Sequence, residues 1–245
     1  MHTFLKMTWT ELKLQLREPL GVFFTLAFPV MLLVIFGSIY GNEPSSFLGG
    51  YGSIDVSVPG YIGMIIGTIG MISLPIALSN YREQGILRRL QATPLPSSTV
   101  LWSQVAVNVI MTALGALLLV ITGFMGYGLR VPTAPFAIIP AMLLGGFSFL
   151  AVGFVLAGLL PTARSAQAVG MALFYPMLFL SGAAMPRQIM PDSVQAIADF
   201  LPLTHVVKLL EGLWLEGTWN LTSLAVVIGM LVVCLLVSRR TFRWE

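Results

Sequence analysis

Six long apolar stretches run through the sequence, and polar residues collect in the segments between them. A transmembrane helix needs about 20 mostly apolar residues to cross about 30 Å of hydrocarbon. The stretches that meet this requirement cover residues 20–40, 58–79, 100–127, 134–160, 166–185 and 219–237. The pattern predicts an all-α integral membrane fold with six transmembrane helices, built as one domain over residues 1–245. Because the number of spans is even, both termini lie on the same side of the membrane.

Residues 1–19 have the pattern of an amphipathic helix. Apolar residues recur at helical spacing, and charged residues fall on the other faces. The apolar set is Leu5, Trp9, Leu12 and Leu16, and the charged set is Lys6, Glu11, Lys13 and Arg17. Charges interrupt the segment throughout, so it is not a signal peptide. We predict a helix that lies in the inner membrane interface and ends where the chain turns at Pro19, with a solvated lead-in as the alternative.

Residues 186–218, between the last two stretches, carry two shorter apolar stripes that begin after Pro186 and Pro202. The first stripe is Val194, Ile197 and Leu201, and the second is Leu203, Val206, Leu210, Leu213 and Trp214. Helices this apolar are predicted to re-enter the outer leaflet between spans five and six, shielded by protein. Opposite the second stripe, Lys208 and Glu211 are spaced to pair, and His205 is favoured as a structural residue over a proton switch.

Composition and charge place the chain in a membrane with a defined orientation. Hydrophobic residues make up 57% of the chain, charged residues 9%, and the mean hydropathy is +0.90. These values exclude a water-soluble globule and a disordered chain. With both ends inside, only Arg130, Arg187 and Lys208 of the 13 basic residues fall outside. This bias predicts a multi-pass protein of the cell's inner or plasma membrane with both termini cytoplasmic.

Several kinds of chemistry are missing from the sequence. None of the six apolar cores contains Asp, Glu, Lys, Arg or His, which argues against an ion-driven secondary transporter and against intramembrane proteolysis. The single cysteine, Cys234, and the two histidines, His2 and His205, offer no metal-ligand set. No Gly-Lys-Ser/Thr run forms a P-loop, so we predict no enzyme activity, no cofactor bound by this chain and no nucleotide-binding domain. Active transport would then take its ATP and Mg through a partner.

The loop between spans two and three, residues 79–96, mixes charge with apolar side chains. Its charged residues are Arg82, Glu83, Arg88 and Arg89, and its apolar residues include Ile86, Leu87 and Leu90. Their spacing predicts a short amphipathic helix, which Pro94 and Pro96 end because proline cannot continue the hydrogen-bond ladder. Such a helix can dock into a groove on a partner protein. A positive-inside anchor without a partner fits these residues equally well.

Two parts of the sequence carry a resemblance to a known family. The first reads Arg-Glu-Gln-Gly-Ile-Leu-Arg-Arg-Leu-Gln-Ala-Thr-Pro-Leu over 82–95. The second combines Leu-Ser-Gly-Ala-Ala-Met-Pro over 180–186, Met-Pro over 190–191 and Leu-Pro-Leu-Thr-His over 201–205. Together with the order and spacing of the six stretches, they make the chain resemble the membrane subunit of an ABC-2 type exporter. The basic pair Arg88-Arg89 is similar to the daunorubicin/doxorubicin-resistance permease branch.

The resemblance implies a permease subunit that works with a separate ATPase. It implies a homodimer of this chain bound to two copies of a P-loop ATP-binding subunit, surrounded by membrane lipid and without a nucleic-acid partner. Residues 81–93 then correspond to the coupling helix that docks on the ATPase. The implied coupling residues are Tyr81, Arg82, Glu83, Gly85, Leu87, Arg88, Leu90, Thr93 and Pro94.

The resemblance also implies a substrate path lined by spans two and five. The candidate residues are Met64, Gly67, Thr68 and Met71 in span two and Phe174, Tyr175, Met177 and Phe179 in span five. Ordinary helix packing and lipid contact are the alternative for each of them. The implied activity is export of an amphiphilic or apolar compound, such as a drug-like molecule, a lipid or a glycoconjugate. A non-transporting resistance or sensing component is the first alternative, and an ion-driven transporter the second.

Overall fold

The computed structural model describes residues 2–86 and 97–241, where the chain forms helices and turns and no strand. The first helices are α1 (His2–Leu16), α2 (Pro19–Val22, Phe23–Ala27 and Phe28–Tyr40 in succession) and α3 (Ser53–Thr68, Ile69–Ser73 and Leu74–Glu83 in succession). The next are α4 (Ser97–Tyr127), α5 (Pro135–Leu159) and α6 (Ala163–Leu180). The last are α7 (Asp192–Ala198), α8 (Pro202–Glu211, continued by Gly212–Glu216) and α9 (Leu221–Thr241).

Five helical stretches in the described ranges are long and apolar enough to cross a membrane. They are Phe23–Tyr40, Ser46–Glu83, Thr99–Tyr127, Pro135–Leu159 and Leu221–Thr241. The prediction of an all-helical, multi-pass membrane protein is therefore confirmed. The predicted fifth span corresponds to α6, whose 18 residues include Arg164 and Gln167 near the start and which is not among these five. The count of six spans stays a prediction.

Two of the long helices widen for one turn just before a proline. α2 has a π-helical turn over Phe23–Ala27, followed by Pro29, and α3 has one over Ile69–Ser73, followed by Pro75. Proline has no backbone N–H, and its ring clashes with the carbonyl one turn earlier. A π-turn relieves both problems without ending the helix. The two helices therefore continue through their prolines.

Helix α3 is the centre of the molecule. All of its side chains from Ile54 to Thr68 are buried, and it contacts α2, α4, α5, α6 and α8. Small residues permit this close packing: a Cβ added at Gly63 would lie 2.8 Å from Val207 Cγ2, and one added at Gly70 would lie 2.5 Å from the Phe149 carbonyl oxygen. Small residues at helix contacts let backbones approach closely in membrane proteins.

The close contact at Gly70 predicts a stability effect. Replacing Gly70 with alanine puts a methyl group against the Phe149 backbone, which cannot move aside as a flexible side chain can. We expect Gly70→Ala to destabilise the fold by about 1–3 kcal/mol, the usual cost of overpacking. Gly146→Ala in α5 is the matched control, since nothing lies within 4 Å of its added Cβ. Thermal unfolding in detergent, followed by fluorescence-detected size exclusion, measures both; equal melting temperatures would contradict the packing argument.

Helix α1 forms as the amphipathic pattern predicted, and it packs against α4. Its apolar side chains Leu5 and Trp9 are 57% and 58% exposed, whereas Thr8 and Glu11 are buried against the protein. Leu12 of the predicted apolar stripe also packs against the core, so the side of α1 that faces the helix bundle is mixed and not purely polar. Its position in the inner membrane interface stays a prediction.

Helices α7 and α8 lie within residues 186–218, and α8 packs among the long helices. Its apolar residues Leu203, Val206 and Leu210 are fully buried, and it contacts α3, α5 and α9. Pro202 is the first residue of α8, where its missing N–H costs no hydrogen bond, and Pro186 precedes a 3₁₀ turn over Arg187–Ile189. Re-entry of these helices into the outer leaflet stays a prediction.

The predicted pairing of Lys208 with Glu211 is wrong. Lys208 Nζ lies 2.8 Å from Asp199 Oδ1, which also accepts a hydrogen bond of 2.7 Å from Arg187. Glu211 instead accepts a hydrogen bond of 2.6 Å from Gln188. Asp199 comes from the turn before α8, so tertiary contact overrides the helical spacing, and the two cations lower the pKa of its carboxyl.

His205 lies in α8, and both of its ring nitrogens have a hydrogen-bond partner. Nδ1 is 3.3 Å from the Ser223 hydroxyl oxygen and Nε2 is 3.0 Å from the Asp199 carbonyl oxygen. The side chain is buried and bridges α8 to α9. These contacts give it a structural role, in line with the interpretation favoured from its position in the sequence.

Candidate coupling site and transport cavity

The C-terminal end of α3 contains the first residues of the predicted coupling segment. The helix ends at Glu83, and Gly85 follows with φ +65°, a left-handed conformation that favours glycine. A side chain at Gly85 would be strained whatever the space around it. The remaining predicted coupling residues lie outside the described residues. These are Leu87, Arg88, Leu90, Thr93 and Pro94.

Arg82 attaches the end of α3 to the end of α5, and Glu83 attaches it to the start of α6. The Arg82 guanidinium donates a hydrogen bond to the Leu160 carbonyl oxygen. Glu83 Oε1 accepts a hydrogen bond of 2.6 Å from the backbone N–H of Ala163, the first residue of α6. The first N–H groups of a helix have no partner within the helix and favour a negative charge. These two contacts hold the end of α3 to the end of α5 and to the start of α6.

Tyr81 attaches the same end of α3 to α1. Its phenol donates a hydrogen bond to the carboxylate of Glu11, and Gln104 Nε2 of α4 donates one of 2.8 Å to the same oxygen. Glu11 is only 8% exposed. A second polar contact joins α1 to α4 nearby, where Gln15 Nε2 lies 3.4 Å from Asn108 Oδ1. Buried polar groups need such partners, so α1 is held in one place.

Sequence reasoning missed this cluster, although it identified Tyr81. Glu11 was interpreted only as one charge on the polar face of α1. Its partners Tyr81 and Gln104 are 70 and 93 residues away, so no local spacing connects them. The available signal was in α4, where Gln104, Asn108 and Thr112 recur every fourth residue in an apolar stretch. A polar stripe of this kind marks a helix face turned to protein rather than to lipid.

Burial of the Glu11 carboxyl predicts that the docking of α1 depends on pH. Burial raises the pKa of this carboxyl above its ordinary value of 4.5, although the hydrogen bonds from Tyr81 and Gln104 oppose the shift. A raised pKa in the docked state means that docking favours the protonated acid. Docking is therefore strongest below the ordinary pKa and weakens as the pH rises through the raised value.

Spin labels measure this pH dependence directly. Labels at Leu14→Cys on α1 and Ile110→Cys on α4, in a Cys234→Ser background, use two exposed positions. We expect their distance distribution to broaden as the pH rises through the raised pKa of Glu11. Glu11→Gln keeps hydrogen-bonding groups and cannot titrate, so its distribution should not change with pH. A wild-type distribution that ignores pH would count against the role of Glu11.

A cavity of about 200 Å³ lies between α2, α3 and α6. Apolar and aromatic side chains form most of its wall, and a few polar side chains complete it. The lining includes Phe24 and Phe28 of α2, Met64, Thr68, Ile72, Ser73 and Ile76 of α3, and Gln167, Met171, Phe174, Tyr175 and Leu178 of α6, with Glu18 and Gly21 near the start of α2. Ligand pockets typically combine such apolar walls with a few polar groups.

The structure brings together part of the predicted substrate path. Met64, Thr68, Phe174 and Tyr175 line the cavity. Gly67 instead packs against Phe174, since a Cβ added there would lie 2.5 Å from Phe174 Cε2. Three predicted residues lie away from the cavity. Met71 and Met177 are buried in the core, and Phe179 is 61% exposed on the surface.

A larger groove, of about 640 Å³, lies between α4, α5 and α9. Its lining includes Leu101, Phe147, Leu231 and Leu235 and opens beside the exposed apolar side chains of α9. Because these are membrane-spanning helices, we expect lipid acyl chains to fill this groove. The cavity between α2, α3 and α6 is therefore the better candidate for a transport site.

Comparison with known proteins shows which family model and which relatives the chain matches. A family model described as "ABC-2 type transporter" matches residues 2–214. The chain is 27% identical over 221 residues to the putative transport permease ycf38 of Porphyra purpurea, covering 87% of this chain and 74% of that protein. It is 28% identical over 204 residues to nodulation protein J of Bradyrhizobium diazoefficiens, covering 82% and 72%. It is 24% identical over 249 residues to the putative transport permease YvfS of Bacillus subtilis, covering 98% and 96%.

Proposed function

The chain belongs to the ABC-2 type transporter family, and from this premise we propose that it exports an amphiphilic or apolar compound using ATP hydrolysed by a separate subunit. Family membership makes the chain a membrane permease of an ATP-binding cassette transporter and implies association with an ATP-binding subunit. The further elements of the proposal are a homodimer, two copies of the ATPase, Mg-ATP held by that ATPase, and a plasma-membrane location with both termini in the cytoplasm.

One observation carries the proposal: the residues that end α3, Tyr81, Arg82 and Glu83, contact both α6 and α1, the helix that precedes α2. Helix α3 lines the cavity with Met64 and Thr68 and ends in these three residues. The second wall, α6, is held at its first residue by Glu83. The third wall, α2, directly follows α1, which Tyr81 holds through Glu11. A force applied to the segment after Glu83 therefore reaches every wall of the cavity.

This geometry supports a lever mechanism. ATP binding draws the two ATPase subunits together and displaces the coupling segment, residues 81–93. The displacement moves the end of α3 and carries α6 and α1 with it, because Glu83 and Tyr81 connect them. The cavity then changes its access from the cytoplasm to the outside, along a path completed by the second permease copy. Packed helices switch between discrete arrangements rather than deforming continuously, which makes such a lever effective.

Reconstitution tests the proposal. The permease and its co-purified ATPase are placed in proteoliposomes, and the ATP-dependent movement of rhodamine 6G is measured with the ATPase sites facing outward. We expect uptake with Mg-ATP, little uptake with a non-hydrolysable analogue, and no effect of an ionophore at constant ATP. ATP hydrolysis without dye movement, across a panel of amphiphilic dyes, would favour a non-transporting component. Uptake that the ionophore abolishes would favour an ion-driven transporter.

A further inference from the structure

The cavity between α2, α3 and α6 carries charge of one sign. Among its described lining residues, Glu18 is the one with a formal charge, and no Lys or Arg is included. The Glu18 carboxylate lies over the start of α2, since a Cβ added at Gly21 would be 3.4 Å from Glu18 Oε2, and both residues line the cavity. The nearby cations Arg17 and Arg164 are not part of the lining. A ligand in the cavity therefore meets an acid and no base.

Four aromatic side chains line the same cavity as this carboxylate. Phe24 and Phe28 approach with ring centroids 5.7 Å apart, and Phe174 and Tyr175 with centroids 5.9 Å apart. These four rings come from opposite walls, α2 and α6. The face of an aromatic ring is negative and attracts cations, ammonium groups in particular. Tyr175, Ser73 and Gln167 add polar groups without charge.

We propose that the substrate class is an amphiphilic organic cation, whose positive head lies between Glu18 and the aromatic rings and whose apolar body lies along Met64, Ile72 and Leu178. This inference rests on the proposed function and narrows it. An anionic headgroup of the same size would face Glu18 with no compensating cation in the described lining. Electrostatic selection of this kind rejects the wrong partner as strongly as it attracts the right one.

A matched pair of small probes tests the charge preference. Benzyltrimethylammonium and phenylmethanesulfonate share a benzyl group and differ in the sign of their charge. Saturation-transfer NMR on the complex in lipid nanodiscs gives the affinity of each. We expect the wild type to bind the cation more tightly, and Glu18→Gln to weaken cation binding about fivefold, the size of one exposed charge contact with ring faces. Affinity for the anion should not fall.

Two further variants make the test specific. Asp192→Asn removes one negative charge from an exposed position on α7 and should leave both affinities unchanged. Glu18→Lys should reverse the preference in favour of the anion. The inference is overturned if Glu18→Gln leaves cation affinity unchanged, or if Glu18→Lys still prefers the cation. Failure of the proposed transport function would give a result that can be told apart from these. The complex would bind the cation with this selectivity but would move no dye when ATP is supplied.

Discussion

Glu83→Gln reduces ATP-driven transport about tenfold while leaving membrane insertion and assembly with the ATPase intact. The reason is that Glu83 accepts the hydrogen bond from Ala163 and so holds the first residue of α6 to the end of α3. Glutamine keeps an oxygen that can accept this hydrogen bond but removes the negative charge. That charge strengthens the bond and is favoured at a helix N-terminus, together by about 1.5 kcal/mol, which corresponds to about a tenfold change. The quantity to measure is transport per ATP hydrolysed, in proteoliposomes. The substitution should leave ATP hydrolysis in place while weakening the movement of the cavity wall that hydrolysis drives.

The matched control for this variant is Glu216→Gln. Glu216 is an exposed glutamate at the C-terminal end of α8, where its carboxylate accepts a hydrogen bond from the nearby Thr218 hydroxyl. The control should transport as the wild type does. Normal transport by both variants would refute the role of Glu83 in coupling. Loss of ATPase binding in Glu83→Gln would instead mean that this residue docks the partner directly.

Ser73→Trp blocks transport by more than tenfold while ATP binding by the partner continues. Ser73 lines the cavity of about 200 Å³, is only partly buried, and is the last residue of the π-turn of α3. An indole there occupies the space that a substrate needs. The side chain of a cavity residue can grow into empty volume with little strain, unlike that of a close-packed residue such as Gly70. Dye uptake and nucleotide binding, measured on the same preparation, separate a blocked cavity from a broken complex.

Leu117→Trp is the control for added bulk. Leu117 lies in α4 and is 54% exposed, so its side chain points away from the cavity. We expect normal transport and a melting temperature close to that of the wild type. If Ser73→Trp transports normally, substrate does not pass through this cavity. If Leu117→Trp is equally inactive, bulk added anywhere in the spans is harmful and the cavity has no special role.

The helices could be predicted from sequence because lipid allows few alternatives. Backbone groups without partners are costly in hydrocarbon, so an apolar stretch of about 20 residues has to form a helix. The first and last residues of each helix were harder to predict. The second span was predicted from residue 58, but α3 begins at Ser53 because Asp55 is buried in its first turn. There its carboxylate accepts hydrogen bonds from Asn42 and from the Arg130 backbone N–H at 3.1 and 2.9 Å.

The candidate site could be predicted only in part, because its contacts join distant parts of the chain. Tyr81, Arg82 and Glu83 were identified through a family resemblance, but their partners Glu11, Leu160 and Ala163 follow from the fold. Helical spacing also proposed Glu211 as the partner of Lys208, whereas a turn brings Asp199 closer. Local periodicity tells which face of a helix is polar. It does not tell which residue of another helix lies opposite.

Purification of the tagged chain from its native membrane in mild detergent tests the central claim most directly. The account predicts that a P-loop ATPase co-purifies in stoichiometric amount. It also predicts that this ATPase is lost when residues 84–93 are exchanged for a glycine-serine linker of equal length. That exchange keeps Tyr81, Arg82 and Glu83, and with them the contacts inside the chain. A chain that purifies alone and transports dye on its own, driven by an ion gradient, would contradict the account.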